Sequence, residues 1–355
     1  MTKRTATVTW ISYRNFGTYL QAYALQRTLN KLGVRNFILS DKRYVSITGF
    51  CGLLWRFKNF VADRRDMNAV LYKRFEEKFL KIDFCWSASN LDECYDIFIC
   101  GSDQIWSPYL PFNPYYYLGF TTKKKIAYAP STGTGYSNDE YVNNVRSYIN
   151  SFSHIAVREE DGAEMLSRFI DKDIKVVLDP TLLLDNNEWD NVENQSVVNL
   201  EGDYIICYFL TSNWWYIDYV MEYAKQHRLR VKIFNTNPIY VDYGFELVDA
   251  GPCEFISYIK HASKVFTDSY HASIFSILYK KDFVTFKRFR DGGEKDQNAR
   301  IANLFSKLGI SDYFIGEDSV DRVKLLSSPA YNEVESRLTV FRGDSIQFLQ
   351  DAIIS

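Results

Sequence analysis

At 355 residues the chain is long for a single hydrophobic core, so two domains are expected. A hydrophobic fraction of 46%, a charged fraction of 24% and a net charge of −2 are ordinary for a globular protein and give no support to nucleic-acid binding by the whole chain. No apolar run is long enough for a membrane span, and Cys51, Cys85, Cys94, Cys100, Cys207 and Cys253 include no CxxC pair; this argues against zinc and a disulfide framework and for reduced thiols in a cytoplasm.

The opening MTKRTATVTWIS enters a strand pattern at residues 5–11 with no signal-peptide core. After NFG, the run YLQAYALQRTLNKLG places Leu20, Ala24, Leu25, Leu29 and Leu32 at helical spacing, with Gly33 as its stop. VRNFILS is the next strand, and the βαβ opening implies a parallel sheet. Residues 49–81 are aromatic, locally basic and helical in pattern. Strands are expected at 96–102 and 125–131, a strand–turn–helix at 154–169, and a closing strand at 175–184. The polar stretch 185–203 reads as a linker. A second α/β half then restarts: strand DYIICYFL, helix WYIDYVMEYAKQHR, strand VKIFN, and a helix opening at Pro252 with Glu254 in its first turn. Strand KVFTDS, helix HASIFSILYKK and strand DFVTFKR follow, and residues 331–355 form a helical tail. The expected domains are 1–190, with a helical insertion at 49–81, and 200–330, followed by that tail: two doubly wound Rossmann-like α/β domains facing a cleft. Aromatic residues reach 17%; they fill cores, but Tyr and Trp also form platforms for ligands with one apolar and one polar face.

Four stretches carry the chemistry: NFGTYLQAYALQRTL (15–29), DIFICGSDQIW (96–106), HIAVREEDG with VVLDPTLLL (154–162 and 176–184), and TDSYHASIFSILYKKDFVTF (267–286). In order and spacing they resemble the polysaccharide pyruvyl transferase family, from about residue 7 to about residue 310. The resemblance implies a glycosyltransferase B-like fold and an enzyme that moves the three-carbon unit of phosphoenolpyruvate onto a sugar, bridging two hydroxyls as a pyruvate ketal. An enol phosphate becomes electrophilic when its methylene is protonated, which needs a general acid in the usual range of histidine. Its carboxylate and phosphate need Arg or Lys.

His271, between a strand end and a helix, matches the histidine of the family's Ser-Arg-x-His type of turn and fits the acid; a plain capping histidine is the structural alternative. The chain departs from the pattern at Ser269, where many members carry Arg, and Lys287 and Arg288 beyond the next strand are the basic residues that could fill the gap. Arg158 matches the family's strand-end arginine and reads as an anion clamp, or else as an exposed partner of Glu159 or Glu160. Asn15 and Gly17 offer a helix N-terminus to acceptor or anion, or form a tight turn. Ser102, Asp103 and Gln104 face the acceptor, with Asp103 orienting or deprotonating a hydroxyl; Ser102 or Asp103 could equally cap a following helix. Asp179 reads as a structural Asp-Pro turn.

Neither a dinucleotide nor a Walker-type phosphate loop occurs, and the spacing of carboxylates and histidines implies no metal. No cofactor is expected beyond phosphoenolpyruvate as co-substrate. Acceptors in the family are often lipid-linked, and the basic aromatic stretch around Trp55, Arg56, Phe57, Lys58 and Phe60 reads either as a helical cover or as a peripheral contact with the inner membrane face. The rival activity is a nucleotide-sugar glycosyltransferase, for which Glu246 and Glu254 have the Glu-x7-Glu spacing, interrupted by Gly251 and Pro252. A non-catalytic saccharide-binding relative, inert because of Ser269, is the other.

Overall fold

The computed structural model describes residues 2–11, 14–40, 66–83, 91–198, 200–236, 238–289, 297–325 and 327–355. The basic aromatic stretch around Trp55, and the predicted insertion up to residue 65, lie outside them. Two units are present: Met1–Arg65, Glu76–Leu184 and Thr339–Ser355 form one, and Asp66–Phe75 with Asp185–Leu338 the other.

The first unit holds strands β1 (Arg4–Val8), β2 (Arg35–Leu39), β3 (Ile82–Asp83), β4 (Ile97–Cys100), β5 (Lys124–Tyr128), β6 (His154–Val157) and β7 (Ile174–Val176). They pair in parallel in the order β3-β2-β1-β4-β5-β6-β7. All four residues of β4 are buried, as expected for a strand covered by helices on both faces. The helices are α1 (Phe16–Lys31), α2 (Met67–Phe79), α3 (Leu91–Cys94), α4 (Asp139–Ile149) and α5 (Glu160–Ser167), with α2 divided between the units. Helix α1 stops as its sequence predicts, at Leu32 followed by Gly33 with φ of +86°.

The second unit repeats the plan. Strands β8 (Tyr204–Tyr208), β9 (Arg230–Phe234), β10 (Glu246–Val248), β11 (Lys264–Thr267), β12 (Phe283–Phe286) and β13 (Phe314–Ile315) pair in parallel in the order β10-β9-β8-β11-β12-β13. Helices α6 (Asn186–Glu193), α7 (Trp214–His227), α8 (Pro252–His261), α9 (Tyr270–Leu278) and α10 (Ala299–Leu308) accompany them, and α11 (Tyr331–Ile354) ends the chain. In both sheets the strand order reverses beside the first strand, between β1 and β4 and between β8 and β11. Such switch points open a crevice at the carboxyl ends of the strands.

Three differences from the sequence reading have physical causes. The polar stretch after residue 184 is partly helix: Asp185 caps α6, and Trp189 is fully buried with its ring 4.9 Å from Phe275. The predicted strand 175–184 is β7 and then a 3-10 turn, because Pro180 lacks the N–H a ladder needs. Helix α11 is no detached tail. Its later part belongs to the first unit, where Ser345 Oγ accepts from Leu178 N at 3.0 Å, Arg342 Nε donates to the Leu182 carbonyl at 2.6 Å, and Leu349 and Ala352 are buried.

Among the described residues Cys94, Cys100 and Cys207 are free thiols, and burial pushes Cys100 and Cys207 well up from their ordinary pKa.

Candidate functional site

At the switch point of the first sheet, polar side chains from five segments form one network. Asn15 caps α1, accepting from Thr18 N at 3.4 Å, and the Thr18 hydroxyl donates to Asp103 Oδ2 at 2.9 Å. Gly17 is the second residue of α1, inside the helix rather than in the loop before it. Gln21 donates to Thr9 Oγ1 at 2.8 Å and accepts from Ser102 N at 3.2 Å. The segment after β4 is a run of turns, not a helix, so Ser102 and Asp103 cap nothing. Gly101 is required there: its φ is +121°, and a Cβ would come within 2.0 Å of the Tyr128 carbonyl oxygen. Asp103 is also left-handed, at φ +69°, an uncommon state for a residue with a side chain; its carboxylate accepts from Gln104 N at 2.9 Å.

Arg158 is not an exposed strand-end arginine. Its side chain is about 1% exposed, and Nη1 donates to Asp179 Oδ2 at 2.7 Å. Asp179 does what an Asp-Pro turn should, accepting from Thr181 N at 3.0 Å, but it also accepts from Ser102 Oγ at 3.3 Å. It thereby ties the β6 end to the β4 end. Glu159, read from sequence as a solvated counter-ion, is fully buried. Its Oε1 accepts from Ser131 Oγ (2.9 Å), Thr132 N (2.7 Å), Thr132 Oγ1 (3.1 Å) and Gly133 N (2.9 Å), and so shapes the loop after β5. Gln104 lies against that loop: a Cβ on Gly133 would meet Gln104 Nε2 at 2.3 Å.

At the switch point of the second sheet, Ser269 caps α9, accepting from Ala272 N at 3.5 Å, and buried His271 follows with its ring edge-on to Tyr270. The residue before the cap, Asp268, is the centre of this cluster. It is fully buried and accepts from Leu210 N (2.6 Å), Thr211 N (2.9 Å), Thr211 Oγ1 (2.6 Å) and Tyr216 OH (3.0 Å). Burial raises its pKa, opposed by the charge of Arg288 and by these hydrogen bonds. Lys287 and Arg288 follow the end of β12 and have different surroundings. The Lys287 ammonium lies over the Phe314 ring at 5.5 Å, whereas half-buried Arg288 is the cation whose charge reaches Asp268. The two glutamates of the glycosyltransferase spacing have structural partners: Glu246 pairs with Lys232 at 2.6 Å, and Glu254 accepts from Gly251 N at 3.0 Å in the capping box of α8.

The first cluster brings together Asn15, Ser102, Asp103, Arg158 and Asp179; the second holds Ser269, His271 and Arg288. Among the described residues no three His, Cys, Asp or Glu side chains are placed to hold a metal ion. The model of the family described as polysaccharide pyruvyl transferase matches residues 15–288, opening on Asn15 of the first cluster and closing on Arg288 of the second. The chain belongs to that family.

No curated protein matches the chain. Among solved structures, this pyruvyl transferase family member is similar to the UDP-GlcNAc 2-epimerase from Neisseria meningitidis bound to UDP-GlcNAc, at TM-score 0.55 and 10% identity over 100% of each chain. The UDP-GlcNAc 2-epimerase from Methanocaldococcus jannaschii gives TM-score 0.51 and 11% identity over 95% of this chain and 99% of that one. A further UDP-N-acetylglucosamine 2-epimerase gives 0.57 and 10%, over 98% and 93%. At such identities the likeness shows the fold alone, a glycosyltransferase B-like pair of Rossmann-like domains. Within the family's matched stretch, sequence reasoning missed Thr18, Gln21, Glu159, Thr211, Tyr216 and Asp268. One signal was available: Asp268 directly follows a fully buried strand, the position at which α/β sheets present site residues.

Proposed function

We propose that the protein moves the enolpyruvyl unit of phosphoenolpyruvate onto a sugar of a surface polysaccharide or its lipid-linked precursor. The observation that carries this reading is the cluster at the β11 and β12 ends, where a histidine and an arginine accompany a hydrogen-bonded carboxylate within the family's matched stretch. In this reading Arg288 holds an anionic group of the donor, in the role left open by Ser269, and Lys287 adds charge at the sheet edge. Arg158, already neutralised by a buried carboxylate, acts by holding Asp179 and through it Ser102. The first cluster sets the carboxylates of Asp103, Glu159 and Asp179 against the Arg158 guanidinium, a balance suited to the hydroxyl donors of a sugar rather than to an anion.

The chemistry balances as follows. His271 gives a proton to the donor's methylene, and one acceptor hydroxyl adds to the adjacent carbon, losing its proton to solvent, from which His271 is reprotonated. The second hydroxyl then displaces phosphate, which leaves with the second hydroxyl's proton. The products are a pyruvate ketal and inorganic phosphate.

The test is phosphate release from phosphoenolpyruvate with galactose-, mannose-, glucose- and N-acetylhexosamine-containing acceptors, for wild type and His271→Ala. Acceptor-dependent release that disappears in His271→Ala is expected. Release surviving in the variant removes the assigned acid, and absence of release with every acceptor counts against the transfer itself.

A further inference from the structure

Large apolar side chains of the second unit are mostly internal, yet four stand exposed in two adjoining segments. Leu210 and Trp214 follow β8, and Ile239 and Val241 lie in the 3-10 turn after β9; Trp214 is 55% exposed. The segments are packed together behind this surface, with buried Tyr240 beside Phe209 at 6.5 Å between ring centroids. Trp214 is the first residue of α7, and its indole meets the Tyr243 ring edge-on at 5.0 Å. Tyr243 is itself packed on the core of this unit. The indole is therefore braced on one edge and open over more than half its surface.

A polar rim adjoins it. Asn213 makes no side-chain cap to α7. Its Nδ2 instead donates to Thr211 Oγ1 at 3.3 Å and to the Arg288 carbonyl at 3.4 Å, while Thr211 donates to Asp268. The open indole is thus one residue from the hydrogen-bond chain that ends at Asp268.

We infer that Trp214 and Tyr243 form a saccharide-binding platform, with a pyranose C–H face laid on the indole and its hydroxyls turned to Ser212, Asn213 and their neighbours. An aromatic ring presented beside neutral hydrogen-bonding groups matches a ring that is apolar on its face and hydroxylated at its rim. A nucleotide also stacks, but residues 209–214 and 235–243 contain no Lys or Arg, and Asp242 is acidic, so these two segments supply no cation of their own; Arg288, whose carbonyl Asn213 bonds, is the cation beside them, and UDP binding tests that alternative. The inference rests on the transferase reading, in which a saccharide is a substrate, and it gives the second unit a saccharide contact of its own.

The experiment is retention on a glycan array by wild type, Trp214→Ala and Trp214→Phe, with UDP binding followed by calorimetry on the same proteins. Because the ring is half exposed, all three proteins should share a thermal midpoint, which controls for folding. The platform predicts that wild type retains a defined set of glycans, that Trp214→Ala loses at least about tenfold in retention, and that Trp214→Phe keeps most of it. Retention of no glycan, or equal retention by Trp214→Ala, overturns the inference. So does a UDP affinity that Trp214→Ala abolishes, which would assign the ring to a base. Phosphate release reports separately on the donor: retention lost in Trp214→Ala with no release in any protein leaves the platform standing and sinks the transfer, and release with unchanged retention does the reverse.

Discussion

Removing the guanidinium of Arg158 exposes the energetics of the first cluster most directly. Arg158→Met keeps a side chain of similar reach but leaves two fully buried carboxylates without their cation: Asp179, whose Oδ2 loses a 2.7 Å charged hydrogen bond, and Glu159, whose Oε2 lies 3.9 Å from Arg158 Nε. Breaking a buried pair from one side costs about 3–5 kcal/mol, because the remaining charge loses its counter-ion where water cannot replace it. At about 2–4 °C per kcal/mol for a unit of this size, the melting transition should fall by roughly 6–20 °C. Urea unfolding of both proteins at neutral pH reads this directly. A penalty below about 1 kcal/mol, the scale of an exposed pair, would refute the reasoning.

Two further expectations concern the second cluster. Ser269→Ala should cost about 0.5–1 kcal/mol by chemical denaturation, the value of a long cap bond, and should leave phosphate release largely intact if Arg288 holds the donor; loss of release with stability preserved would return the donor contact to Ser269. Asp268, its pKa raised by burial, binds its proton more tightly folded than unfolded, so its contribution is greatest below the ordinary carboxylate pKa of about 3.9 and declines as pH rises through the raised value. The stability advantage of wild type over Asp268→Asn should therefore shrink with rising pH in denaturant titrations, and an advantage that grows would contradict that sign.

Patterning made much of this protein legible. The first helix showed both its apolar stripe and its stop, the strands of both halves were visible as short apolar runs, and Pro252 and Glu254 marked a helix start that the structure places at Pro252 with Glu254 in its first turn. These are local signals, carried by residues within one or two turns of each other. The resemblance of four ordered stretches named the family, because their spacing along the chain reflects the order in which strand ends return to one edge of each sheet. Helix α6 was hidden because its exposed residues are polar and its one large anchor, Trp189, packs against Phe275, some 90 positions away.

The chemical state of the site residues was a different matter. Arg158 and Glu159 are adjacent charged residues after a strand, a pattern that reads as a solvated pair. Only the approach of Asp179 from the next strand end and of the Ser131–Gly133 loop from the previous one buries them and engages them in opposite tasks. Lys287 and Arg288 were interchangeable in sequence. The folded surroundings separate them: Lys287 lies over Phe314, and it is the charge of Arg288 that reaches Asp268. The sequence by itself determined the two parallel sheets, the family and the strand ends at which the chemistry stands, since these follow from hydrophobic period and spacing. Only the tertiary structure decided which charges are paired, which are buried and which remain for a ligand, because those depend on neighbours that the chain supplies from tens of residues away.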